Sequence, residues 1–263
     1  MLIASLGYFA VRRRPPVSPP PAPPPLPSAA PPRVWPGIYS VPVSELPPAA
    51  ELPPGTTRIL VLGDSVASFL GLAMRYRQEE TGTFVAHRGV GECSIFEAKT
   101  RIVDGKPVEG TSCSATWVAD AAALKPDVTL IVQGGAFFGK QTCDAEFLNA
   151  YQERILTMVE RMGPAAGKVV IAIVPYPLDR WRWGTVMDRV DCFDAMLRRT
   201  AEKGHLGTLD LMGHVCPTRE CNLLSDGAPI RPDGLHFDGK GTEETARWAI
   251  LELVNQLKRN QAP

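Results

Sequence analysis

The sequence predicts an α/β fold, a three-layer α/β/α sandwich with a central parallel five-stranded sheet, and three observations carry that reading. After Gly55 short apolar runs alternate with longer amphipathic stretches, as strands and helices do in turn. The runs are apolar throughout rather than every second residue, so the strands are covered on both faces and run parallel. The chain, 263 residues with 44% hydrophobic and 21% charged side chains, has the composition of a globular domain with a sizeable core.

Taken in order, the first strand is expected at 58–62, where Ile59-Leu-Val-Leu62 runs into Gly63, a residue that permits a sharp turn. A helix at 66–80 leads to a second strand at 83–87. A helix at 115–124 then precedes the strand at 127–133, and a helix at 144–162 precedes the strand at 168–174. The helix at 188–203 leads to the last strand at 207–211, and a closing helix occupies 241–259. No internal repeat recurs at a fixed period.

Ahead of this domain, assigned to 55–263, lie two segments of different texture. Residues 1–14 are apolar and then basic, ending in Arg12-Arg-Arg14. The apolar part is about half the roughly 20 residues a membrane helix needs, and its charges follow it rather than precede it as in a secretory signal. Two readings stand: the last turns of a membrane helix whose beginning lies upstream, or a disordered tail. Residues 15–54 hold most of the 26 prolines, the composition of a semi-rigid polyproline linker, either a stalk or a plain leader.

Charge excludes some partners. With 28 basic and 28 acidic residues, no net field draws nucleic acid or an anionic membrane to the chain. The six cysteines fit an oxidised, extracytoplasmic domain, in the cell envelope or secreted. Only the short Cys216–Cys221 loop is specific enough to name as a pair. Reduced buried thiols are the alternative, and a zinc site at His214, Cys216 and Cys221 a third, although their spacing matches no common zinc pattern. No cofactor or metal is expected.

In an open parallel sheet reactive groups gather where strands end and helices begin. The first such junction is Gly63-Asp64-Ser65-Val66, which places Ser65 at a helix N-terminus whose amides favour developing negative charge. A helix-capping serine would look the same. The second site is Arg231-Pro-Asp233-Gly-Leu-His236, where Asp and His three residues apart in a turn let the carboxylate orient one imidazole nitrogen and leave the other to take a proton.

Gly63-Asp64-Ser65 resembles the first block of the SGNH/GDSL hydrolases, and Asp233-Gly-Leu-His236 resembles their closing DxxH block, about 170 residues further on. The resemblance spans about residues 55–258. It implies a flavodoxin-like fold and a Ser65, His236, Asp233 triad acting on acyl esters through an acyl-enzyme. It also implies oxyanion donors at Ser65, at Gly91 (or Gly89) and at Gly135. In this third block the family carries an asparagine where this sequence has Ala136. Extracellular SGNH domains joined to acyltransferase-3 membrane proteins often share that departure. The implied chemistry is hydrolysis or transfer of acyl groups, commonly acetyl, on cell-surface glycans, and the implied partner is an upstream acyltransferase membrane domain.

Other features carry competing readings. A catalytically impaired glycan-binding or scaffolding domain is the alternative to an enzyme. Gly134 to Lys140 fits a GxxxxGK phosphate loop, but Gln141 replaces the magnesium-binding Ser or Thr. Trp181 and Trp183 suit either sugar stacking or capping of the core near Tyr176. Asp64 is expected to brace the nucleophile turn, and His87, His205 and His214 to be structural.

Overall fold

The computed structural model describes residues 52–91, 93–96, 101–103, 106–108, 112–139, 141–178 and 181–259. The segment 1–14, nearly all of 15–54 and Lys140 of the phosphate-loop reading lie outside these residues.

In chain order the elements are β1 (Thr57–Gly63), α1 (Ser65–Tyr76), α2 (Gln78–Thr81), β2 (Thr83–Gly89), a small hairpin of β3 (Arg101–Val103) and β4 (Lys106–Val108), α3 (Trp117–Leu124) and β5 (Val128–Val132). There follow α4 (Ala145–Met162), β6 (Lys168–Ile173), α5 (Val186–Lys203), β7 (Gly207–Asp210), α6 (Leu211–Val215), a second hairpin of β8 (Leu224–Ser225) and β9 (Ala228–Pro229), and α7 (Glu243–Arg259). Five strands form one parallel sheet in the order β2-β1-β5-β6-β7. Helices cover both faces, α1 packing with α7 on one and α3, α4 and α5 side by side on the other. This is the fold class read from the sequence.

The strand order explains where a site can form. β1 is an interior strand, and the chain steps first to β2 at one edge and then, in the other direction, to β5, β6 and β7. A crevice opens at the carboxyl ends where the order reverses, between β1 and β5. The sheet is solvent-free there: Ile59 to Leu62 and Leu130 to Val132 are wholly buried.

Several local expectations are corrected. The helix expected at 66–80 stops at Tyr76 and resumes as α2, because Arg77 turns out of helical geometry and pairs with Glu243 at the start of α7. The helix expected from 188 begins earlier, at Val186. The one expected from 241 begins at Glu243, after a 3-10 turn over Lys240–Thr242. The two hairpins and α6 were not anticipated; each is too short to leave a periodic signal.

All six cysteines are paired, as Cys93–Cys113, Cys143–Cys192 and Cys216–Cys221. The pair named from the sequence is present. The zinc reading fails, because two of its three ligands are joined to each other and offer no thiolate. The reduced-thiol alternative fails for the same reason. Among the described residues no helix is long and apolar enough to cross a membrane.

Cys143–Cys192 ties the entry to α4 to the middle of α5 across a sequence separation of 49, which restricts the unfolded chain strongly. Replacing both cysteines by serine is expected to lower the free energy of unfolding by about 2–4 kcal/mol, read from urea midpoints under non-reducing conditions.

Candidate active site

The site begins with a close approach between two strands. Gly63 closes β1 with φ at 142°, and a Cβ there would sit 1.7 Å from the Val132 carbonyl oxygen of β5, so only glycine fits. The backbone can therefore turn at once into α1. Asp64 caps that helix: its Oδ1 accepts from the Val66 amide (2.9 Å) and its Oδ2 from the Gly135 amide (2.6 Å) in the loop after β5. One carboxylate thus fixes both loops that border the crevice, the bracing role expected of it. Burial pushes Asp64 up to about 6, against the lowering effect of the Gly135, Val66 and Ala67 amides and of His236.

Ser65 is the first residue of α1. Its Oγ lies 2.9 Å from His236 Nε2, and His236 Nδ1 lies 2.7 Å from Asp233 Oδ2. A hydroxyl, an imidazole and a carboxylate separated by 171 residues of chain thus form one hydrogen-bonded line. The other oxygen of Asp233 accepts from the amides of Leu235 (2.9 Å) and His236 (2.8 Å). Burial disfavours its charge, but those two amides and the imidazole outweigh it and hold Asp233 below the ordinary carboxylate value. The Phe69 ring packs against the imidazole with centroids 4.5 Å apart.

The turn carrying Asp233 and His236 is held from below by the segment after β6. Gly234, at φ +84°, would place a Cβ 2.7 Å from the Leu178 carbonyl oxygen, and the Leu178 amide donates to the Gly234 carbonyl (2.8 Å). Trp181 Nε1 donates to the Asp233 carbonyl (2.8 Å). Arg231 is 3% exposed and donates to the Tyr176 carbonyl (2.7 Å). Burial, and secondarily Arg182, bring its guanidinium down to about 10.

Beside Ser65 opens a cavity of about 620 Å³. Asp64, Ser65, Gly91, Gly135 and His236 line it, as do Ile95, Phe96, Phe147 and Tyr151 on one side and Leu235 and Trp181 on the other. Gly91 is in the lining, whereas Gly89 abuts the Ser68 backbone of α1. Gly135 is also in the lining, but its amide is spent on Asp64. The expectation that it serves as an oxyanion donor is corrected on that ground. Ala136 puts a methyl where an asparagine would put a donor. Gln133 stands in the lining with its Oε1 accepting from the Tyr151 hydroxyl at 2.5 Å, and burial raises Tyr151 well above its ordinary value.

Solved structures share this fold. A lipase/acylhydrolase from Enterococcus faecalis superposes with a TM-score of 0.52 at 16% identity, over 79% of this chain and 100% of that one. The fold is that of the SGNH/GDSL hydrolases. A catalytic mutant of an acetylxylan esterase from Geobacillus stearothermophilus has a TM-score of 0.50 at 16% identity, over 75% of this chain and 94% of that one. No family model matches the sequence and no curated protein matches it. In this fold Gly63-Asp64-Ser65 lies on the β1–α1 turn and Asp233-Gly-Leu-His236 just ahead of α7.

The remaining sequence candidates fall outside the hydrogen-bonded line. Trp181 lines the cavity, while Trp183 is 45% exposed, stacked near Phe138 and covered by Arg189. His87 is buried, and desolvation, then Arg75 and Arg88, bring it down to about 4, so it is a neutral core residue at pH 7. His214 stacks on Trp248 at 3.8 Å. Missed altogether were Phe96, Phe147 and Tyr151.

Asp64 gives a pH signature. The folded state keeps its proton to about pH 6, the unfolded chain only to about 3.8. The resulting stabilisation is complete below pH 3.8 and is lost as pH rises through 6, a loss on the order of 3 kcal/mol. Asp64→Asn cannot titrate, so between pH 4 and pH 7 the wild type is expected to lose stability relative to this variant, read from paired urea midpoints.

Proposed function

We propose that this chain is a serine-dependent hydrolase of acyl esters, acting on acylated glycans outside the cytoplasm. The observation that carries the reading is the continuous contact from Ser65 Oγ to His236 Nε2 and from His236 Nδ1 to Asp233. A serine at a helix N-terminus with a helix-facing carboxylate elsewhere would be only a cap; one bonded to an oriented imidazole is a nucleophile with its base.

In this reading His236 Nε2 takes the Ser65 hydroxyl proton as Oγ bonds to the ester carbonyl carbon. The carbonyl oxygen gains negative charge, met by the backbone amides of Ser65 and Gly91. His236 then passes the proton to the ester oxygen, the carbon–oxygen bond breaks, and the alcohol leaves an acyl-Ser65. Water, deprotonated by His236, attacks that ester; His236 returns the proton to Ser65 Oγ as its bond to the acyl carbon breaks, and the carboxylic acid leaves. A sugar hydroxyl in place of water makes the same site an O-acyltransferase. Asp233 holds the imidazole in the orientation that allows both proton transfers.

Support for a glycan as the alcohol comes from the acetylxylan esterase among the structural neighbours and from Trp181 and Phe138 in the cavity wall, since aromatic faces suit sugar rings. Three disulfides support a place in the cell envelope or outside the cell. A membrane-bound acyltransferase domain upstream would supply acyl groups in the transferase form. One observation favours a second reading, a binding domain that has lost its chemistry: Ala136 brings no side-chain donor and the Gly135 amide is engaged, and one missing donor typically costs about 10²–10³ in turnover.

The two readings part in one experiment. The purified protein is expected to cleave p-nitrophenyl acetate and to be labelled at Ser65 by a fluorophosphonate. Ser65→Ala abolishes both, and Asp233→Asn lowers kcat by about 10⁴-fold. An unlabelled, inactive wild type would leave the binding domain as the answer.

A further inference from the structure

We propose that the wall formed by Ile95, Phe96, Phe147 and Tyr151 is an acyl-chain pocket, and that the preferred acyl group is longer than acetyl. This rests on the hydrolase reading above and adds to it the chemistry of the acyl half of the substrate.

The two halves of the ester are assigned by the proton path. His236 must return its proton to the leaving oxygen, so the alcohol departs on the imidazole side of Ser65. That side is walled by Leu235 and by Trp181, whose indole is fixed to the Asp233 carbonyl. The acyl group stays on Ser65 Oγ and has the remaining space, toward the loop after β2 and the first turns of α4.

That space is built for alkyl carbon. Phe96, Phe147 and Tyr151 pack as a trio, with centroids 6.1, 5.6 and 5.7 Å apart. Phe96 and Phe147 are only half-buried, so each shows ring surface to the cavity it lines. The one polar end in the trio, the Tyr151 hydroxyl, is turned inward to Gln133. The wall is also rigid. Cys93–Cys113 pins the loop beside it, Cys113 donates its amide to the Ser94 carbonyl at 2.7 Å, and Arg154 of α4 donates to the Ile95 carbonyl at 3.2 Å.

Size decides against acetyl as the fitted group. A water molecule takes about 30 Å³ and an acetyl group roughly twice that, against a cavity of about 620 Å³. Even with half the cavity given to the alcohol, acetyl leaves most of the acyl side empty and the phenylalanine faces wet. Each added methylene that reaches those faces improves binding about fourfold, from about 0.8 kcal/mol per buried CH₂.

The test has two arms. In the first, kcat/KM is measured with p-nitrophenyl acetate, butyrate and hexanoate. It is expected to rise at least about tenfold from acetate to the better of the longer esters. Phe147→Trp, which narrows the pocket, lowers the longer-to-acetate ratio, and Phe147→Ala moves the optimum to longer chains. A wild type that prefers acetate, or a ratio that neither variant moves, overturns the proposal. The second arm needs no turnover: sodium acetate and sodium hexanoate are titrated into the Ser65→Ala protein and followed by NMR shifts. Hexanoate is expected to bind at least about tenfold tighter, and equal affinity overturns the pocket. Hexanoate binding with no cleavage of any ester upholds the pocket and removes the hydrolase reading instead.

Discussion

The carboxylate of Asp64 is the constraint on which the rest of the site depends. It is buried, and it accepts hydrogen bonds from backbone amides of two separate loops, Val66 at the start of α1 and Gly135 after β5. Those loops leave adjacent strands at the point where the sheet order reverses, so without the bridge the crevice has no fixed width. The bridge in turn requires the tight passage at Gly63, where the β1 backbone runs against Val132. Sheet order, strand contact and helix cap are therefore one arrangement, and the Ser65 hydroxyl is aimed by all three.

The imidazole side is built differently. Asp233 and His236 lie in no helix or strand themselves; they sit in a turn held by donors and acceptors from the segment after β6, with Arg231 and Trp181 as the main braces. A buried guanidinium beneath this turn is costly by itself, and its bond to a main-chain carbonyl offsets part of that cost. The result is a mobile kind of structure, a loop, given the precision of a helix by hydrogen bonds that local sequence does not announce.

How much of this was legible in the sequence follows from the range of the forces involved. The five strands were readable because Ile59 to Leu62 and the other runs must be buried on both faces, a property of each run alone. Ser65, Asp233 and His236 could be singled out because they lie in short motifs, and the fold joins the two motifs by hydrogen bonds. The engagement of the Gly135 amide was not, since it depends on a carboxylate 71 positions away. Arg77 ending α1 early was equally hidden, because its partner Glu243 lies 166 positions on. Phe147 and Tyr151 are four apart on an amphipathic helix, the spacing of ordinary core residues; only the cavity in front of them tells otherwise. The Cys93–Cys113 and Cys143–Cys192 pairs likewise depend on which loops the fold brings together.

The distance in chain between Ser65 and His236 has a consequence for biogenesis. The hydroxyl belongs to the first strand-to-helix turn of the domain and the imidazole to the turn before its last helix, so the two meet only after every strand of the sheet has been laid down. A chain emerging N-terminus first passes most of its synthesis with the Ser65 hydroxyl and no imidazole to meet it. The hydrogen-bonded line can close only once the turn ahead of α7 is in place, beside a final helix that packs against α1.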